Sequence, residues 1–277
     1  MNDMKVGLAL GGGGVRGLAH IPVLETLDEL GIKPVAIAGT SMGSIIGALY
    51  ASGRSGQEIR ALVDGHIIKK GDRLSDVYRK KDQLIKWVKM FRPTTGSAGL
   101  VEANGLMGYL LDDLRVSTLE ALPIPFKAVA TDFYRCEPVV FSEGDLITAI
   151  RASISIPGVF VPVAHDGRIL VDGGLTNQVP FDLLPDDCDV TIAVDVGPSW
   201  KSDETKPPSA LDAVLGMFDI VVDQVVEAKL RERPPTIYLR PQLTGVRVLD
   251  FDKIETVFEQ ARPAMESLKA ELKKRLE

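Results

Sequence analysis

"VGLALGGGGVRGLAHIPVLETLDELGIKPVAIAGTSMGSIIGALYA" runs from Val6 to Ala51. Val6–Leu10 is a short apolar run closed by glycines, as a buried strand would be. From Val15, apolar residues recur at Leu18, Ala19, Val23, Leu24, Leu27 and Leu30, the spacing of one helix face. Gly31 stands where a helix C-cap glycine belongs. Val35–Ala38 predicts a second strand, and Met42–Ala51 a helix of small residues. The order β-α-β-α implies strands that run parallel and are buried on both faces. The expected class is therefore α/β with a mostly parallel central sheet.

The rest of the chain extends this pattern. Pro125–Thr131 and Pro138–Phe141 predict strands, and Arg168–Val171 closes a hairpin turning at Asp166-Gly167. Val190–Val196 predicts another central strand. Leu211–Leu230 and Lys253–Leu276 predict long amphipathic helices, and Pro198–Ser209 a surface loop. In the last helix Ile254, Val257, Phe258, Ala261, Met265, Leu268 and Leu272 share a face suited to core packing. There is no internal repeat and no linker that demands two domains, so residues 1–277 are expected to form one.

Composition narrows the function. With 32 Lys and Arg against 38 Asp and Glu, the net charge of −6 argues against a nucleic-acid binder. Cys136 and Cys188 match no metal-ligand spacing, and a reduced setting suits them. Val6–Leu24 holds six glycines, Arg16, His20 and Pro22, so it suits neither a membrane span nor a signal peptide. The expected location is the cytoplasm.

Gly11–Gly17, "GGGGVRG", has several readings. Gly12-x-Gly14-x-x-Gly17 matches a dinucleotide fingerprint, but the second strand ends in Ala38-Gly39-Thr40, without the ribose-binding carboxylate. A P-loop needs a lysine where Leu18 stands. Glycines at a helix N-terminus could instead turn backbone N–H groups outward to hold an oxyanion, with Arg16 adding charge or orienting the loop. A tight turn with no ligand is the plain alternative.

Gly39-Thr40-Ser41-Met42-Gly43 places a G-x-S-x-G pentapeptide between a strand and a helix. A strained turn there presents a nucleophilic serine, although a Ser N-cap has the same local sequence. A base is harder to find. The three histidines are His20 inside the first helix, His66 in a polar segment and His165 before a hairpin turn. No histidine follows Asp172, so the order Ser, acid, His cannot be built with it. Either His165 acts out of order or there is no triad. Asp172 ends an apolar run and precedes Gly173 and Gly174, which opens the turn around its carboxylate. The same position suits an Asx-turn aspartate, and Asp195 and Asp132 are weaker rivals. A carboxylate base would need burial to raise its pKa.

Taken in order, these blocks resemble the patatin-like phospholipase family across nearly the whole chain. "GLALGGGGVRGLAHIPVLETLDELGI" resembles its oxyanion block and "AGTSMGSIIGALYASG" its nucleophile block. "FKAVATDF", "GDLITAIRASISIPGVFVPV" and "LVDGGLTNQVPFDLL" resemble later blocks, the last with the Asp-Gly-Gly signature. The closest subgroup resembles the catalytic domains of neuropathy-target-esterase-type lysophospholipases. The resemblance implies a three-layer α/β/α fold and a carboxylic-ester hydrolase with a Ser-Asp dyad. It implies Ser41 as nucleophile, Asp172 as general base, and an oxyanion hole at Gly12, Gly13 and Gly14 with Arg16 in support. Gly39, Gly43, Gly173 and Gly174 are the motif glycines. It implies an acyl-ester or phospholipid-type substrate, no cofactor and no metal. "YRCE" at Tyr134–Glu137 departs from the Thr-Gly common in the family, a change expected at a hairpin tip.

Between His66 and Arg92 nine Lys and Arg face three Asp, a net of +6, interleaved with Leu84, Ile85, Trp87, Val88, Met90 and Phe91. Such a stretch can lie on anionic lipid. It is expected to contact the inner membrane face peripherally and, over residues 66–100, to cap the site. A solvated surface helix is the bland alternative. Two other functions compete with the hydrolase. One is a nucleotide-binding regulatory module using Gly12–Gly17, and the other an inactive membrane-associated scaffold.

Overall fold

The computed structural model describes residues 4–64, 114, 116–199, 207 and 210–276. The expected membrane-contact and cap segment, 66–100, lies outside them, as does most of the Pro198–Ser209 loop. Among the described residues, eight strands form one mixed sheet. They are β1 (Val6–Leu10), β2 (Ala36–Thr40), β3 (Phe126–Asp132), β4 (Glu137–Phe141), β5 (Val163–His165), β6 (Arg168–Asp172), β7 (Val190–Val194) and β8 (Ile237–Leu239). The order is β5-β6-β3-β2-β1-β7-β8, with β4 also on β3. β3, β2, β1, β7 and β8 run parallel to one another, while β4 and β6 pair antiparallel with β3 and β5 antiparallel with β6.

The two faces of the sheet differ in side-chain size. Leu8, Leu10, Ile37, Ile192 and Val194 pack on one face against α1 (His20–Glu29), α2 (Met42–Ala51) and α7 (Ile254–Leu276). The intervening Ala9, Ala38 and Ala193 face the other way. They meet Val179, Phe181 and Leu184, with Val226 of α6 (Ala210–Glu232). Alternation along the strands thus builds three layers, α/β/α, as expected. Burying each large aliphatic chain contributes about 2 kcal/mol. The expected face of α7 is buried at Ile254, Val257, Ala261, Met265, Leu268 and Leu272, with Phe258 half-buried.

Some elements differ from the sequence reading. The helix expected from Val15 to Leu30 is broken. Gly14–Ala19 is a 3₁₀ turn, and α1 begins at His20. Arg16 N–H reaches back to Gly13 O, and Val15 N–H is taken by Val248 O at 2.9 Å, so the regular α pattern cannot start earlier. Strand β2 runs on to Thr40, carrying Gly39 within it. The short α4 (Leu146–Ser153) was not visible in the periodicity. Asp145 caps it, accepting from Thr148 N–H at 2.6 Å. The Gly31 C-cap and the Asp166-Gly167 turn are as expected, with φ of 67° at Gly31, 47° at Asp166 and 71° at Gly167.

Candidate active site

Ser41 joins β2 to α2 with φ 52° and ψ −123°, a conformation that a non-glycine residue adopts only under constraint. The constraint comes from the crossing of the strand ends. A Cβ on Gly43 would lie 2.1 Å from Leu10 O, and one on Gly39 2.5 Å from Gly43 O. Only glycine at both positions lets α2 start this close to β1 and β2. Ser41 N–H donates to Ser153 Oγ at 2.9 Å, and Ser41 O accepts from Ser44 Oγ at 2.7 Å.

Strand pairing brings Asp172 to this elbow. β2 pairs with β3 up to Thr40 opposite Val129, and β6 pairs with β3 from Asp172 opposite Ala130. β4 pairs with Ala128–Asp132 and so overlaps both stretches. β4 must therefore occupy one edge of β3, and β2 and β6 share the other. Their C-terminal ends meet there head to head, which sets Ser41 beside Asp172 although 131 positions separate them.

Asp172 is buried, and its Oδ1 accepts the Gly174 N–H at 2.8 Å. Its Oδ2 is buried and completes no hydrogen bond. Loss of water pushes its pKa up to about 6, opposed by the nearby Ser41 hydroxyl and the Gly174 N–H. The Ser41 hydroxyl is thus near enough to the carboxyl group to favour its charged form, while Oδ2 has no hydrogen-bond partner among the described residues. Ser153 touches Ser41 and the turn that follows Asp172. Its hydroxyl takes Ser41 N–H, and its carbonyl takes Gly173 N–H at 3.4 Å.

The glycine loop lies against the elbow. A Cβ on Gly12 would be 3.1 Å from Ser41 Cβ. Gly11 N–H donates to Val194 O and Gly12 N–H to Gln178 O. The N–H groups of Gly13 and Gly14 meet no acceptor among the described residues. Arg16 is buried and its guanidinium pairs with Asp219 of α6 at 2.9 Å, so it ties the loop to that helix. Gly14, Ser41, Ile45, Ile154, Phe160 and Phe251 help line a narrow apolar cleft of about 20 Å³. Larger clefts lie elsewhere, between α1 and α7 and at the Ala36–Ile37 end of β2.

The rival bases are accounted for by other contacts. Asp195 is held by Tyr238 Oη at 2.5 Å and Gly197 N–H at 2.7 Å, with Arg240 nearby. Asp132 accepts from the Tyr134 and Arg135 N–H groups in the β3–β4 turn. His165 pairs with Arg168, at the end of β6 far from Asp172. His20 is buried and lies 2.7 Å from Gly11 O through Nε2, which must therefore carry the proton. Burial lowers its pKa to about 4, so it is neutral at pH 7. His66 lies outside the described residues.

Three contributors were not singled out in the sequence. Ser153 is one. Gln178 is the second, its Nε2 donating to Gly12 O at 2.8 Å. The third is a brace under the Asp-Gly-Gly turn. Asn177 O accepts from Thr40 Oγ1 at 2.7 Å, and Lys229 Nζ of α6 reaches Asn177 Oδ1 at 2.6 Å and Asp182. No local pattern signals such contacts, which join residues 47 to 166 positions apart.

The sheet, the strained elbow at Ser41 and the adjoining glycine loop define a three-layer α/β protein with a buried carboxylate, Asp172, beside the elbow serine. The chain belongs to the patatin-like phospholipase family, whose model matches residues 8–185. An uncharacterised NTE family protein of Mycobacterium tuberculosis is 36% identical over 205 residues, 70% of this chain and 50% of that protein. The lysophospholipase NTE1 of Saccharomyces cerevisiae is 28% identical over 93% of this chain and 16% of that protein. This chain therefore spans half or less of those relatives' length. VipD from Legionella pneumophila shares the fold, with a TM-score of 0.50 at 13% identity, over 96% of this chain and 67% of that one.

Proposed function

We propose that this protein is a serine acyl-ester hydrolase of phospholipase or lysophospholipase type. The observation that carries the reading is the meeting of Ser41, on its strained elbow, with the buried carboxyl of Asp172, whose Oδ2 has no partner among the described residues. In this reading Ser41 Oγ attacks the ester carbonyl while Asp172 takes its proton. The carbonyl oxygen becomes an oxyanion held by the glycine loop. Gly13 and Gly14 supply the open N–H groups, and Gly12 holds the loop in place. Collapse expels the alcohol, which takes the proton back from Asp172. Water, activated by the same carboxylate, then releases the acyl group.

Burial makes Asp172 a better base than an exposed aspartate, since a pKa near 6 narrows the gap to a serine hydroxyl. The gap stays wide, so the reading assigns much of the rate to oxyanion stabilisation. The side chains that line the cleft beside Ser41, Ile45, Ile154, Phe160 and Phe251 among them, are apolar, which favours an ester with an apolar acyl group. Relatives named lysophospholipases favour a lysophospholipid substrate. Among the described residues no helix is long and apolar enough to cross a membrane. Hydrolysis of lysophosphatidylcholine and of a p-nitrophenyl ester by wild type and Ser41→Ala tests the proposal. Wild type should turn over at least one of them and the variant neither. Equal turnover by both proteins would refute it.

A further inference from the structure

Gln178 grips Gly12 through both of the peptide groups that flank it. Its main-chain O accepts Gly12 N–H at 3.1 Å, and its side-chain Nε2 donates to Gly12 O at 2.8 Å. The side chain is buried, and its Oε1 lies between the loop and the Asp-Gly-Gly turn. A Cβ on Gly12 would be 2.8 Å from Oε1, and one on Gly174 2.4 Å from it. The amide orientation follows from chemistry, because Gly12 O can only accept.

Gly12 O and Gly13 N–H belong to the same peptide group. In a trans peptide they point in opposite directions. No cis peptide bond is present among the described residues. The bond from Nε2 to Gly12 O therefore fixes where Gly13 N–H points, which is away from Gln178. Glycine at 12 and 13 gives the backbone little resistance to a peptide flip. A flip would turn a carbonyl oxygen toward the side now occupied by the N–H.

We infer that Gln178 is a positioning residue for the oxyanion hole. It holds the Gly12–Gly13 peptide so that Gly13 N–H faces the developing negative charge. This rests on the hydrolase reading above. Gln178 does not touch the reacting atoms, and it acts through one amide plane. An isosteric residue without the donor should keep substrate binding and lose transition-state stabilisation.

The test is the steady-state hydrolysis of a p-nitrophenyl ester by wild type, Ser41→Ala, Gln178→Met and Gln178→Glu, with thermal unfolding of each. Gln178→Met keeps the length of the side chain and lacks the donor. Its kcat should fall roughly 10- to 100-fold with KM within about twofold, the pattern of a weakened oxyanion donor. Gln178→Glu sets an acceptor against Gly12 O and should lose at least as much. If Gln178→Met does not fold, Gln178→Glu decides, as its side chain stays polar and isosteric. The inference is overturned if a folded variant retains kcat, or if KM rises with kcat unchanged. Loss of the hydrolase reading looks different. Wild type would then be inactive, or Ser41→Ala would be as active as wild type.

Discussion

Thr40 and Asp172 stand opposite consecutive residues of β3, Val129 and Ala130, on one shared edge. Everything at the candidate site follows from that abutment. Two strands of opposite direction end at the same point, so their next residues turn into the same space. Thr131, the following residue of β3, fixes the joint. Its hydroxyl donates to Asp172 O at 3.0 Å and lies 2.9 Å from Thr176 Oγ1.

Thr131→Val keeps the shape and removes that bond. It leaves a buried carbonyl and a hydroxyl without their partner, at a cost of about 1–3 kcal/mol. The expected outcome in urea unfolding is a lower midpoint with an unchanged slope. Ester turnover should fall as well. Unaltered stability and turnover would show that the joint is held by the ladder alone.

Asp172→Asn separates stability from activity. The Asp172 carboxyl titrates near 6 in the folded state against 3.8 when exposed. Between these values the folded state binds more protons, so stability falls as pH rises through the window. Above it, the buried charge costs about 3 kcal/mol. The neutral amide avoids that cost. Asp172→Asn should therefore melt at or above wild type at pH 7 while turnover collapses by a factor on the order of a thousand or more. A variant that is both inactive and much less stable would point to a structural role for the carboxylate.

The same group sets the acid limb of the rate profile. A base works only when deprotonated. On this account kcat/KM should fall as pH drops through about 6, rather than through 3.8. A plateau reaching down to pH 4.5 would contradict burial of the working base.

His20 has the opposite sign. Its pKa is about 4 when folded and 6.5 when exposed, so across this range the unfolded state binds more protons. Its contribution is present above 6.5 and is lost as pH falls toward 4, to the extent of about 3 kcal/mol. Between pH 6 and 4 it therefore offsets the gain from Asp172. His20→Gln keeps a donor for Gly11 O and removes the titration. Measured by urea unfolding, its stability relative to wild type should rise as pH drops from 6.5 to 4. A constant difference would mean that His20 does not titrate there.

The parts of this protein legible in the sequence are those written in local period and local turns. Val6–Leu10 and Val190–Val194 are apolar runs because both sheet faces are covered. Gly31 and Asp166-Gly167 announce positive φ. Ser41 and Asp172 stand out because each follows a strand and has glycine beside it. The break at His20 was hidden, because apolar spacing runs through it while the cause is a bond to Val248. Ser153, Gln178 and Lys229 were hidden for the same reason. Their work is done by contacts across the fold, and nothing in their own neighbourhoods marks them.

The central claim is that Ser41 is a nucleophile activated at the joint of β2 and β6. Intact-mass spectrometry after exposure to a fluorophosphonate measures it directly. Wild type should gain one phosphonyl adduct, mapped to Ser41, and Ser41→Ala should gain none. Adduct formation in Ser41→Ala equal to that in wild type, or no adduct on folded wild type, would contradict the account.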